Sequence, residues 1–184
     1  MAITQIDKVT ALVVIDLQKG IVGFPTAHPM ADVVARSAQL AQAFRARKLP
    51  VVLVNVSGGA PGRTQQKYNF TPPPDWTVLV PELGPEPSDL LVTKQTWGAF
   101  HGTALDMLLR RHGVTQVVLI GVATSIGVET TARSAYEHGY NVTLATDAMT
   151  DMSAEAHRHS IEVIFPRLGE TGTTAEVLGQ LPSV

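Results

Sequence analysis

Residues 119–133, LIGVATSIGVETTAR, decide the fold of this chain. The segment begins as an apolar run typical of a buried strand, turns at Gly121 and continues with the spacing of a helix. Open α/β sheets bind their ligands at strand-to-helix turns of this kind, along the carboxyl ends of the strands. Neither this turn nor the rest of the chain contains a cysteine. The segment therefore predicts an α/β protein whose chemistry at this turn uses no thiol.

Short apolar runs rich in Val, Ile and Leu occur at residues 11–15, 51–56, 117–120 and 142–145, with a weaker run at 90–93. They lack polar alternation, which indicates strands covered on both faces. Between them lie segments of helical periodicity, at residues 30–48, 103–112, 126–138 and 154–165. Strands that alternate with helices predict right-handed βαβ units and a mainly parallel sheet. We therefore expect a three-layer α/β/α sandwich of the doubly wound, Rossmann-like class.

Residues with capping preferences mark the ends of several predicted helices. Gly113 and Gly139 each follow a helical segment at the place where a left-handed glycine commonly ends a helix. Ser153 is placed to cap the fourth helix, and Thr173 with Glu176 has the spacing of a capping box for a short C-terminal helix.

The composition of the 184 residues, 45% hydrophobic and 16% charged, is typical of one globular domain, residues 1–184, with a buried core. A net charge of −2 and the lack of any lysine or arginine run argue against binding to nucleic acid or to an anionic membrane. The N-terminus has no features of a signal peptide, and no stretch approaches the roughly 20 apolar residues of a membrane span. We expect a cytoplasmic protein with a small-molecule substrate.

A long connection at residues 57–87, rich in glycine and proline, breaks the alternation of strands and helices. Connections of this length are typical of binding loops or of disordered insertions. The polar and aromatic side chains in it favour an ordered loop that contacts substrate or another subunit over a solvated excursion. They are Arg63, Gln65, Gln66, Lys67, Tyr68, Phe70 and Trp76.

Two charged residues, Asp16 and Lys94, each close a predicted strand. The carboxyl ends of parallel strands meet along one edge of a sheet, so both side chains are expected at the ligand-binding edge. A carboxylate and an ammonium group in one cleft change each other's pKa and are candidates for acid–base chemistry. A structural ion pair that only joins two strands is the alternative.

Three segments together resemble the isochorismatase-like hydrolase superfamily over nearly the whole chain: LVVIDLQ around Asp16, LLVTKQTWGAFHGT after residue 89, and GVATSIG at residues 121–127. Most members of that superfamily use an Asp, Lys, Cys triad in which the cysteine attacks a carbonyl carbon. The position that resembles the cysteine is Gly127 in this chain. Glycine has no side chain to attack with, so the resemblance implies the fold of these amidases without their covalent mechanism.

The turn before Gly127 is expected to bind substrate through Ala123, Thr124 and Ser125, because backbone N–H groups at a helix start favour a developing negative charge. The hydroxyl groups of Thr124 and Ser125 are better explained as turn and N-cap groups than as replacement nucleophiles. The resemblance also implies a cis peptide bond between Val122 and Ala123.

The same resemblance implies a reaction that needs no nucleophile on the protein. Isochorismatases, which also have glycine at this position, protonate a carbon of an enol ether, and water captures the resulting cation. Asp16 is the acid in that scheme and Lys94 its electrostatic partner, so burial of Asp16 has to outweigh the effect of the lysine on its pKa. True isochorismatases have a tyrosine and a histidine where this chain has Ala123 and Ser125, which disfavours isochorismate itself.

We therefore expect a hydrolase that is independent of cofactors and metals, with Asp16, Lys94 and Gly127 at its catalytic centre. The alternative is a catalytically inactive, small-molecule-binding paralogue of a cysteine amidase. There is no nucleotide-binding motif, and the place of a metal-binding D-x-H motif reads Asn55, Val56, Ser57. His157 and His159 lie about 200° apart on a predicted helix, where they cannot share one ion and are expected to be solvated.

Three further expectations concern the surroundings of the site. Phe24, Trp97 and Phe100 either form the wall of a pocket for a flat or apolar substrate or pack between subunits, since superfamily members are commonly dimers or higher homo-oligomers. Arg63 and Lys67 are the obvious charges left to bind an anionic substrate. Near the C-terminus, Arg167 and Glu170 are expected to pair within an ordered loop.

Overall fold

One parallel sheet of six strands is formed in the computed structural model, which describes residues 3–65 and 71–182. The strands are β1 (Thr10–Ile15), β2 (Val51–Val56), β3 (Leu90–Lys94), β4 (Gln116–Val122), β5 (Asn141–Thr150) and β6 (Glu170–Gly172). Their spatial order is β3-β2-β1-β4-β5-β6. β2 and β3 therefore lie on one side of β1, whereas β4, β5 and β6 follow one another on its other side. Ligands of such sheets bind in the crevice where the direction changes, here between β1 and β4.

The helices cover both faces of the sheet. They are α1 (Lys19–Val22), α2 (Met30–Ala46), α3 (Leu105–Arg111), α4 (Glu129–Glu137), α5 (Ala154–His159) and α6 (Thr174–Gln180). A π-helical turn, Thr124–Val128, leads into α4, and a second one, Ser160–Ile164, follows α5. Short 3₁₀ turns lie at Pro81–Leu83 and Phe165–Arg167. No helix in the described part of the chain is long and apolar enough to span a membrane.

Two apolar clusters fill the spaces between the layers. On one face, α2 and α6 contribute side chains such as Phe44 and Val177, which pack with strand residues such as Leu12. On the other face, α3 and α4 pack on the opposite side of the same strands, with Leu109 and Val13 as examples. Because β1 and β4 are buried on both faces, every residue of these two strands is buried. The predicted three-layer α/β/α sandwich with a mainly parallel sheet is confirmed.

The predicted caps are confirmed as well. Ser153 Oγ accepts a hydrogen bond from the Ala156 N–H, and Thr173 with Glu176 forms the capping box at the start of α6. Gly113 and Gly139 have φ values of 66° and 83°, the left-handed conformation that ends a helix.

The C-terminal region differs from the prediction in two respects. Residues 170–172 form the edge strand β6, a segment too short and too polar to show a strand pattern. The expected ion pair between Arg167 and Glu170 is absent from the described residues. The Glu170 carboxylate instead accepts hydrogen bonds from the backbone N–H and the hydroxyl group of Thr4. These bonds satisfy the carboxylate and fix the N-terminal segment beside β6.

Candidate active site

Asp16 and Lys94 form a buried ion pair at the carboxyl edge of the sheet, with Lys94 Nζ 2.8 Å from Asp16 Oδ2. Lys94 is the last residue of β3 and is in register with Val56 at the end of β2. Asp16 directly follows β1, and its N–H donates to the Val54 carbonyl oxygen on β2. Its φ of 54° is left-handed, a conformation that aspartate tolerates better than most residues. The structure thus brings the two strand ends together.

The carboxyl group of Asp16 has two different oxygens. Oδ2 is bound to Lys94, whereas Oδ1 is buried and has no hydrogen-bond partner among the described residues. Burial raises the pKa of Asp16 to about 6, which outweighs the opposing charge and hydrogen bond of Lys94. Because Lys94 binds Oδ2, a proton taken up near this pH is best placed on Oδ1. The protonated side chain is then a hydrogen-bond donor, and its ionised form has a fixed counter-ion.

Lys94 is held in place from two directions. Besides the ion pair, Nζ donates a hydrogen bond of 3.1 Å to the carbonyl oxygen of Thr96, two residues further along the chain. The side chain is only 2% exposed. The ammonium group is therefore fixed beside Asp16, where it can stabilise a carboxylate without moving.

Gly127 lies next to this pair in the π-helical turn. A Cβ atom at this position would be 3.4 Å from Asp16 Oδ2 and 3.0 Å from Ile15 Cγ2. Glycine thus avoids tight contacts beside the carboxyl group, at the position that resembles the place of the superfamily's nucleophile. The preceding peptide bond between Val122 and Ala123 is cis, as the resemblance implied.

The approach of β4 to β1 at this point depends on Gly121. Gly121 is in register with Ile15, has a φ of 115°, and any Cβ atom would collide with the Ile15 backbone. The close contact brings the turn after β4 beside the end of β1, so the two halves of the site meet at the switch point of the sheet.

A pocket of about 200 Å³ opens at this point. Six of the residues predicted for the site line it: Asp16, Phe24, Lys94, Trp97, Ala123 and Gly127. A larger cleft of about 280 Å³ is lined by the buried ion pair of Arg45 and Asp89, but Arg45 binds both oxygens of that carboxylate, whereas Asp16 keeps one oxygen without a partner among the described residues. The pocket beside Asp16 is therefore the candidate active site.

Other predicted site residues do not line this pocket. Arg63 is exposed on the long connection and is not among the lining residues. Phe100 does not line the pocket either, because it packs in the apolar cluster between the sheet and helices α3 and α4. Lys67, together with Gln66, Tyr68 and Phe70, lies outside the described residues.

Thr124 and Ser125 are held away from the pocket because their polar groups bind the protein itself. Thr124 Oγ1 lies 2.8 Å from His157 Nδ1, and both the N–H and the hydroxyl of Ser125 donate to Asp151 Oδ2 at 2.8 Å. Neither hydroxyl caps the helix. Their role in the structure is to brace the turn against the end of β5 and against α5.

His157 corrects the expectation of a solvated helix face. Its ring is buried and forms a hydrogen bond with Thr124. The centroids of the His157 and His28 rings are 4.5 Å apart. Burial lowers the pKa of His157, the nearby His28 adds to this effect, and Asp151 opposes it. A neutral imidazole is therefore favoured behind the turn. The sequence did contain a signal, because His157 precedes Ile161 by four residues and Ile164 by seven, the spacing of one helical face.

Asp151 is a second residue that the sequence reasoning missed. The apolar run predicts a strand that ends at residue 145. The observed strand β5 continues to Thr150, so Asp151 directly follows it. Like Asp16, it is a buried carboxylate at the carboxyl end of a strand, but its oxygens bind the turn and the Ser153 N–H. It is thus part of the structure that supports the site.

The comparison with known proteins identifies the family. Residues 10–176 match the isochorismatase domain, and the chain belongs to the isochorismatase family of hydrolases. It is 44% identical to the uncharacterized isochorismatase family protein YecD of Escherichia coli O157:H7, across 95% of this chain and 97% of that protein. It is 43% identical to the uncharacterized isochorismatase family protein YwoC of Bacillus subtilis, across 94% of each.

A solved structure supports the same conclusion. The structure of an isochorismatase family protein from Burkholderia thailandensis superposes with a TM-score of 0.89 at 46% identity, covering 99% of this chain and all of that one. The parallel α/β architecture described above is therefore that of the family.

Proposed function

We propose that the protein hydrolyses a small organic molecule by proton transfer from Asp16 and direct attack of water, without a covalent bond to the protein. The observation that carries this proposal is the Asp16 carboxyl group itself. One oxygen is fixed by Lys94, the other is buried without a partner, and burial raises the pKa to about 6. An acid with a pKa near the working pH transfers protons efficiently, since it is both available and strong enough.

The reaction that best fits this acid is the hydrolysis of an enol ether. The proton on Asp16 Oδ1 passes to the terminal carbon of the double bond, and the π electrons form the new C–H bond. The ether carbon becomes a cation stabilised by its oxygen and by the newly formed Asp16 carboxylate. Water adds to this carbon, its proton returns to Asp16, and the hemiketal divides into an alcohol and a carbonyl compound. The reaction needs no nucleophile from the protein, in agreement with Gly127 and the absence of cysteine.

Lys94 has a defined part in this scheme. When Asp16 is protonated, the ammonium group holds Oδ2 and so presents Oδ1 to the substrate. When Asp16 has given up its proton, the same ammonium group stabilises the carboxylate in a buried place. The lysine therefore favours the ionised product of the proton transfer, which lowers the barrier to that step.

The test compares the parent protein with Asp16→Asn on a panel of vinyl ethers, amides and hydrazides. Asparagine is chosen because it tolerates the left-handed backbone at this position, whereas alanine would add strain. We expect turnover of vinyl ethers by the parent and a loss of kcat of about 100-fold or more in Asp16→Asn.

A matched control is Asp89→Asn, which disrupts another buried ion pair. Asp89 lies 2.8 Å from Arg45, and both side chains are largely buried. This substitution is expected to lower stability but to leave kcat unchanged, because Asp89 does not line the pocket. Equal rates for the parent and Asp16→Asn would refute the proposal.

A second candidate function is ligand binding without turnover, by a paralogue that lost its nucleophile. One observation favours it: a Cβ atom at Gly127 would lie 3.4 Å from a carboxylate oxygen, and a cysteine nucleophile needs such a base close by. In that case the parent turns over no substrate on the panel, and Gly127→Cys gains amidase activity. Ether hydrolysis by the parent, with Gly127→Cys inert toward amides, excludes this candidate.

A further inference from the structure

We infer that the pocket selects a small, uncharged substrate with an apolar body about the size of one ring, and that Trp97 is the main determinant of this specificity. The inference rests on the proposed function, because it names the class of molecule that reaches Asp16. It also implies that anionic substrates are excluded.

The charge balance of the pocket is the first argument. In the described part of the chain, Asp16 and Lys94 are the two ionisable side chains that line it, and the ammonium group is bound to Asp16 Oδ2. Lys94 is further engaged by the carbonyl oxygen of Thr96. A substrate carboxylate would have to displace Asp16 Oδ2 from Lys94, which moves the acid out of its position and, where Asp16 is ionised, leaves its buried charge without a partner. A neutral substrate leaves the pair intact.

The apolar wall of the pocket is the second argument. Phe24, Trp97 and Met152 line it and remain 38%, 63% and 47% exposed. They come from three separate places in the chain: the segment after α1, the loop after β3 and the segment after β5. Large apolar side chains that converge on one concave place and stay exposed there favour an apolar ligand that covers them.

The position of Trp97 is fixed by its neighbours. Thr96 Oγ1 donates a hydrogen bond to the Gly98 carbonyl oxygen, so the residues on either side of Trp97 are joined. The Ala99 N–H donates a hydrogen bond to Thr131 Oγ1 on α4. Gly98 itself packs so closely on Thr130 that a Cβ atom would lie 2.9 Å from the threonine methyl group. The loop therefore holds the backbone of Trp97 at the mouth of the pocket. An aromatic side chain on a fixed backbone loses less conformational entropy when it binds a flat apolar group than one on a mobile loop.

The size of the pocket is the third argument. Its volume is about 200 Å³, below the 300 Å³ or so at which pockets for drug-sized ligands begin. An apolar cavity of about 150 Å³ accommodates benzene. The part of the pocket next to Asp16 therefore has room for one ring with a short ether substituent.

The binding test uses two unreactive molecules of the same shape that differ in charge, the neutral ether 4-ethoxybenzamide and 4-ethoxybenzoate. Dissociation constants are measured by calorimetry for the parent, for Trp97→Ala and for the control Leu91→Ala. Leu91 is 67% exposed on β3 and does not line the pocket. We expect the neutral ether to bind the parent about tenfold or more tightly than the benzoate.

The variants complete the binding test. Trp97→Ala is expected to weaken binding of the ether by about tenfold, and Leu91→Ala to change it by less than about twofold. Equal or tighter binding of the benzoate would overturn the inference. So would an unchanged affinity for the ether in Trp97→Ala.

A reactive pair separates the inference from the proposed function. The neutral ether 4-(vinyloxy)benzamide and 4-(vinyloxy)benzoate are offered to the same variants, and Trp97→Ala should raise KM for the neutral ether with little change in kcat. If the unreactive ether binds as expected and no vinyl ether is hydrolysed, the proposed function fails and the specificity remains. If the vinyl ethers are hydrolysed with preference for the carboxylate, the specificity fails and the function remains.

Discussion

Asp16 shows how one residue acquires an unusual acidity from its position. Asp16 itself has a left-handed backbone conformation after β1, and its carboxyl group is buried. Only one of the two carboxyl oxygens contacts a cation. An aspartate beside a lysine ordinarily has a lowered pKa, yet burial raises the pKa of Asp16 to about 6. Desolvation therefore determines the direction of the pKa shift of Asp16. The sequence indicated only that an acid role requires this effect to exceed that of Lys94.

The pH dependence of activity follows from the raised pKa of Asp16. A general acid must carry its proton, and the protonated fraction of Asp16 is high below pH 6 and falls above it. We expect kcat/KM for a neutral vinyl ether to be level near pH 5 and to fall by about tenfold per pH unit above roughly pH 6.5. Initial rates between pH 4.5 and 8.5 measure this profile. A rate that instead rises through pH 6 would assign Asp16 the role of a base.

At the scale of elements, the π-helical turn Thr124–Val128 is the part that several neighbours hold in place. Thr131 on α4 is fully buried and connects this turn to the loop that carries Trp97. Its hydroxyl donates to the Gly127 carbonyl oxygen at 2.6 Å and accepts from the Ala99 N–H at 3.1 Å. One side chain thus couples the place beside Asp16 to the apolar wall.

Replacement of Thr131 by valine tests this coupling, because it keeps the shape and removes both hydrogen bonds. The Ala99 N–H loses its partner in a buried place, so unfolding free energy should fall by about 1–3 kcal/mol. KM should rise as the loop of Trp97 loosens. The control is Ser134→Ala on the same helix, which removes one partly buried bond to the Thr130 carbonyl oxygen and should cost less than about 0.5 kcal/mol. Equal urea midpoints for the two variants would contradict the coupling.

The elements also show what the sequence can predict and what it cannot. The apolar runs before Asp16 and Lys94 predicted strands, and the rules of parallel sheets then placed both residues at one edge. The partners of the turn were not accessible in this way. Asp151 and His157 reach Ser125 and Thr124 across 26 and 33 residues, and those contacts depend on where β5 ends and how α5 is rotated. The hydrophobic periodicity of a short sequence segment determines neither the last residue of β5 nor the rotation of α5 about its axis.

At the scale of the whole molecule, the strand order supplies what the site requires. β1 and β4 are central and fully buried, so the switch point between them is rigid and poorly solvated. This environment raises the pKa of Asp16, so ionisation of the carboxyl group costs more in the folded than in the unfolded protein. The two apolar clusters on the faces of the sheet must offset that cost. The fold thus sustains a carboxyl group that lowers stability in its charged state.

The contribution of Asp16 to stability is therefore expected to fall as pH rises. Its pKa is raised from 3.8 to about 6 on folding, so the folded state binds more protons than the unfolded state between these values. By linkage, Asp16 contributes most below about pH 4, and this contribution is lost as pH rises through 6. Glu170 and Glu176, whose pKa values are lowered, act in the opposite direction, so the parent curve alone mixes both effects.

Comparison with Asp16→Asn isolates the effect of Asp16, because Glu170 and Glu176 are present in both proteins and cancel in the difference. Urea unfolding at pH 4.5, 5.5, 6.5 and 7.5 gives the free energy of each protein. The parent value minus the Asp16→Asn value should decrease steadily up to about pH 6.5. A difference that increases with pH would mean that Lys94, and not burial, dominates the ionisation of Asp16.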